Sequence, residues 1–65
     1  MRDANRLYPF YNKLAEIHIK HFPDWRFGQF IDNFRRWMQY KKHIDIFFPE
    51  EEELSKLLDE FVEVM

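Results

Sequence analysis

Apolar residues recur along this chain at helical spacing in three separate blocks. In the first, Leu7, Phe10, Leu14 and Ile17 mark one helical face, which Tyr11 and His18 broaden. In the second, Phe27, Phe30, Ile31, Phe34, Trp37 and Met38 keep the same spacing, and the stem of Lys41 extends the row. In the third, Leu54, Leu57, Leu58, Phe61, Val62 and Met65 run to the C-terminus. The pattern predicts an all-α fold, a compact three-helix domain over residues 1–65, with helices at about 3–21, 25–42 and 49–64.

Punctuation along the chain sets the expected boundaries. Asp3 can accept from the free amides of a first turn, which makes it an N-cap. Pro9 removes one helical hydrogen bond and crowds the preceding turn, so a break or kink is expected near it. Pro23 drives Phe22 out of helical geometry, which ends the first helix, and Asp24 is expected to cap the second. Gly28, the only glycine, would lie inside that helix, where it costs about 1 kcal/mol relative to alanine. The expected return for that cost is a close crossing of the first two helices. Residues 43–48 read as a loop that turns Ile44, Ile46 and Phe48 inward, since a lone strand would have no partner. Pro49 suits a first helical position, and Glu50 to Glu53 suit the positive end of the third helix dipole.

Composition narrows the functional classes. A domain of 65 residues buries only about 60% of its unfolded surface and needs some further source of stability. The absence of cysteine removes disulfides and thiolate zinc sites. Aromatic packing and self-association are left, and the aromatic content of 20% suits both. The longest uninterrupted apolar run is Ile46-Phe47-Phe48, far short of the roughly 20 residues of a membrane-spanning helix. No signal-peptide core follows Met1, so a cytoplasmic protein without membrane contact is expected.

Charge divides the chain. Residues 1–43 hold nine Lys/Arg against four Asp/Glu, and residues 44–65 hold one lysine against eight acids. The simple expectation is that an acidic third helix packs beside basic partners. The sharper one is an anion-binding patch built from Arg35, Arg36, Lys41 and Lys42, with Arg26 and His43 nearby. There, cations interleave with Trp37 and Tyr40, a composition that serves phosphate contact and base stacking. Trp37 belongs to the core stripe, so only Tyr40 is free to stack. The net charge of −2 also opposes tight, non-specific nucleic-acid binding.

Candidate chemistry is sparse. His18 and His21 could share a metal, but no third and fourth ligand beyond His43 or Glu16 suggests itself, and no metal or other cofactor is expected. Ser55 is the only hydroxyl besides the tyrosines, and its acidic surroundings disfavour an oxyanion site. One glycine cannot build a phosphate-cradling loop. The expectation is a non-enzymatic protein-binding module. Two tryptophans, three tyrosines and eight phenylalanines exceed what three short helices readily hide, and interface anchors are enriched in Trp, Tyr and Arg. Trp25, Arg26, Gln29, Tyr40 and Phe47 are the expected partner-binding residues, with a second copy of the chain as one partner. A basic-patch binder of nucleic acid or of a small nucleotide signal is the alternative.

Two motifs carry a resemblance. Arg2-Asp3-x-x-Arg6-Leu7, followed by Pro23-Asp24-x-Arg26-Phe27-Gly28-Gln29-Phe30-Ile31-x-Asn33, resembles a group of short all-helical proteins of bacteria and their phages. Asp45-x-Phe47-Phe48 ahead of an acidic helix fits the same group, and Pro9 departs from it. The resemblance implies a bacterial or phage setting and no enzymatic activity. By analogy it also implies a small protein that acts by binding and blocking a host or antiviral defence factor.

Overall fold

Three α-helices account for most of residues 2–65, which the computed structural model describes. A 3-10 turn, Ala4–Arg6, leads directly into α1, Leu7–His21; α2 spans Phe27–Lys41 and α3 spans Glu51–Val64. No strand is present among the described residues. The all-α, three-helix expectation therefore holds, with each boundary within two residues of its sequence-based position once the 3-10 turn is counted with α1.

Local chemistry explains the ends. The Asp3 carboxylate accepts from the Asn5 amide at 3.0 Å and starts the 3-10 turn. The change from 3-10 to α geometry at Leu7 is the break expected near Pro9. It leaves Pro9 at the third position of α1, where a helical amide has no partner to lose. Phe22 ends α1 with an amide bonded to the His18 carbonyl at 3.1 Å.

The start of α2 differs from expectation. Its N-cap is Arg26, not Asp24, and the Gln29 side chain reaches back to accept from the Arg26 amide at 2.7 Å. A guanidinium has no acceptor, so only this half of a capping box forms. Gly28 also fails its expected role, because nothing lies within 4 Å of where a Cβ would stand. Pro49 precedes the N-cap Glu50 instead of opening α3, while Glu51, Glu52 and Glu53 fill the first turn as anticipated.

The core is assembled on α3, which packs against both α1 and α2. Leu54, Leu57, Leu58 and Phe61 of α3 are buried with Phe30, Phe34 and Met38 of α2 and Ile17 of α1. Phe61 has no exposed surface. Its ring centroid lies 5.4 Å from Phe34, 5.6 Å from Trp37 and 5.6 Å from Phe22. Phe22 in turn stacks on Trp25 at 4.3 Å with planes 7° apart. His18 lies over Phe30, and its Nε2 is 2.6 Å from the Trp25 carbonyl. A carbonyl only accepts, so His18 carries its hydrogen on Nε2 and ties α1 to the turn.

Several positions of the helical stripes expected in the core are outside it. Phe27, at the first position of α2, remains 66% exposed, and Tyr11 and Met65 are also largely exposed. Tyr11 belongs to the side of α1 turned away from α3, and Phe27 and Met65 stand at helix ends.

The loop after α2 begins with an unusual backbone. His43 has φ 58°, the left-handed region, at a cost of roughly 1–2 kcal/mol for a residue with a Cβ. The turn lets the Ile44 amide return to the Met38 carbonyl at 3.0 Å.

Two stability outcomes follow from this packing. Phe61→Ala removes the shared ring and is expected to cost about 3–5 kcal/mol, enough to unfold a domain of this size in a chemical-denaturation series. Gly28→Ala meets no obstacle and is expected to raise the denaturation midpoint by a few tenths up to about 1 kcal/mol of stability.

Candidate interaction surface

The residues expected to meet a partner divide into two groups. Trp25 and Arg26 precede α2 rather than occupying its first turn. Trp25 is half-buried on Phe22, and its carbonyl holds His18. Gln29 is exposed, but its side chain serves as the reach-back cap. Trp25 and Gln29 thus have structural work, and Arg26 is left exposed beside them. Tyr40 and Phe47, by contrast, project into solvent.

Phe47 belongs to a turn built to display it. The Asp45 carboxylate accepts from the Phe47 amide at 3.0 Å, and the Asp45 carbonyl accepts from the Phe48 amide at 3.2 Å. This is an Asx-type turn, the local structure that Asp favours. Ile44 and Ile46 pack against the core from one side of it. Phe47 and Phe48 are 82% and 75% exposed, edge to face with centroids 5.2 Å apart. Phe48 therefore departs from the inward orientation that alternation with Ile44 and Ile46 suggested. The tight turn at Asp45 breaks the alternation.

The cations expected to form an anion site are mostly engaged. Arg35 and Arg36 both pair with Asp32 at 2.9 Å, three and four positions on along the same helix, about one turn away. Arg35 also donates to Gln39 at 3.1 Å, and Lys42 pairs with Glu60 of α3 at 2.8 Å. Lys41 is the one residue of that set without an ion pair among the described residues. The Asp32 pairs follow from helical spacing alone, whereas Glu60 reaches Lys42 only because α3 packs beside α2.

Ion pairs between residues far apart in the sequence also line the junction of the N-terminal segment and α1 with α3. Arg2 pairs with Glu50, Arg6 with Glu51 at 2.8 Å, and Lys13 with Asp59 at 2.9 Å. Lys13 further donates to the Ser55 carbonyl at 2.9 Å. The acidic helix packs beside basic segments, as the simple reading of the charge division expected. Arg6 hydrogen-bonded to Glu51 holds that carboxyl below the ordinary glutamate range, and Arg35 on Asp32 does the same there, with Arg36 adding to it.

His18 has its Nε2 committed to a backbone carbonyl, and His21 is exposed beside Phe22. No group of three or more His, Asp or Glu side chains that could hold a metal is present among the described residues. No helix among them is long and apolar enough to cross a membrane.

No protein-family model, curated protein or solved structure matches this chain.

Because the Glu51 and Asp32 values are depressed on folding, their contribution is present above the unfolded-state values and is lost as pH falls through the folded-state ones. Side-chain carbon NMR should show both carboxyls titrating below the ordinary range. Arg6→Gln should return Glu51 toward it and leave Asp32 unmoved.

Proposed function

We propose that the protein acts by stoichiometric binding to another protein, through the turn that displays Phe47 and Phe48. The observation that carries this reading is the pair of adjacent phenyl rings held in solvent by an ordered turn. Burying a phenylalanine side chain is worth about 1.5–3 kcal/mol, so two exposed rings in a small domain forgo a large stabilisation. The neighbouring Ile44 and Ile46 do pack inward, so the loop is close enough to the core to contribute to it. Rigid aromatic rings that lose little entropy on docking are the side chains that anchor interfaces. The resemblance to short bacterial and phage proteins supplies a setting, in which the partner is a host-cell or antiviral defence protein. Anion binding has less support, since three of its four expected cations are already paired.

The test places a photo-crosslinking phenylalanine analogue at position 47 in bacterial cells producing the protein. A discrete protein adduct is expected there, absent from the same analogue at Lys56 and abolished by Phe48→Ala. Equal labelling at positions 47 and 56 would count against the reading.

A further inference from the structure

We infer that the outer face of α1 is a self-association surface, on which a second copy of the chain packs antiparallel about a two-fold axis at Ala15. Besides its core-facing stripe, α1 carries a second one: Tyr8, Tyr11, Ala15 and Ile19 recur at three and four residues, and all four are exposed. Tyr8, Tyr11 and Ile19 are 71%, 60% and 73% exposed. Phe27, the residue that misses the core at the start of α2, lines the same depression as Tyr11, Ala15 and His18 and so widens the stripe. None of these side chains is charged.

The surface has the size a dimer needs. Aromatic side chains present about 150–250 Å² each. Three of them and one isoleucine, each about two-thirds exposed, offer on the order of 500 Å² per protomer. Two copies would then bury about 1,000 Å², the lower bound for a specific interface. A patch of this extent is also at the upper end for a small monomeric protein.

The order of residues suits a second copy as the occupant. Tyr11 and Ile19 stand four residues to either side of Ala15. A two-fold axis through Ala15, perpendicular to the helix, therefore places Tyr11 of each copy on the partner's Ile19. Ala15 meets the partner's Ala15 at the crossing, where a small side chain lets two helices approach within about 8 Å. The same operation keeps the two Phe27 edges on one side of the pair, so both rings close that rim. The more polar Asn12 and Glu16 lie along the other. An isologous contact requires this self-complementarity, whereas an unrelated partner would not. The face is separate from the Phe47–Phe48 turn, so the inference does not depend on the reading of that turn.

Sedimentation and light scattering from micromolar to millimolar concentration test it, together with two variants. The wild-type mass is expected to reach twice the 8.3 kDa of one chain. Ala15→Glu should return it to the single-chain value with the helical circular dichroism intact. Ala15→Cys introduces the only thiol in the chain, and on air oxidation should form a disulfide-linked dimer far faster than Lys20→Cys, which is exposed but lies off the stripe. A mass that stays at one chain throughout overturns the inference. So does a wild-type dimer in which Ala15→Cys links no faster than Lys20→Cys, since the copies would then meet elsewhere. Should Ala15→Glu lose its helical signal, the cysteine comparison decides.

Discussion

The ring of Phe61 is the contact on which the other elements converge. It is fully buried and is touched by Phe22 at the end of α1 and by Phe34 and Trp37 of α2. A chain this short can bury few side chains completely, so large rings shared between elements do what many smaller contacts do in larger domains. The turn between α1 and α2 follows from the same contact. With Phe22 held against Phe61, Trp25 stacks on its free side, and the Trp25 carbonyl comes within reach of His18. The direction in which α2 leaves that turn is thus tied to the core through three rings and one hydrogen bond.

Charge completes the arrangement without driving it. Individual surface ion pairs contribute about 0–1 kcal/mol, far less than the burial of one aromatic ring. Their effect is on alignment: Arg2, Arg6 and Lys13 meet Glu50, Glu51 and Asp59 in order along the α1–α3 junction, and Lys42 meets Glu60 from α2. A slip of α3 along its axis would break these pairs together. The same pairing spends much of the basic character that α2 would otherwise offer to an anion.

What the core leaves uncovered then directs the functional reading. Aromatic residues on the two inner stripes and in the first turn are consumed by packing. Those on the outer face of α1, at the start of α2 and in the loop before α3 are not. Hence the apolar surplus noted in the composition lies in separate places: the outer face of α1 with Phe27, the pair of rings on the turn before α3, and Tyr40 near the end of α2.

Three helices, their approximate limits and most of the core were legible in the order of residues, because helical periodicity and capping are local. Phe30, Phe34, Met38, Leu57, Leu58 and Phe61 fall on stripes that any helix would turn to one side. The division of charge also announced that the acidic helix would lie against basic segments. Tertiary structure decided the rest. Spacing assigned Phe27 and Tyr11 to the core, but whether a stripe position is covered depends on where the neighbouring helices are placed around it. Trp25 and Gln29 looked free in the sequence, and contacts with Phe22 and the Arg26 amide gave them structural roles. Lys42 read as part of an open patch until packing brought Glu60 beside it, whereas the pairs of Arg35 and Arg36 with Asp32 lie within one helix at a spacing the order of residues already held. Gly28 needed no close neighbour, and His43 adopts the left-handed backbone that ends α2. The sequence determined which faces are apolar, and the tertiary structure determined which of them are still open to a partner, because coverage depends on helix length and placement and not on periodicity alone.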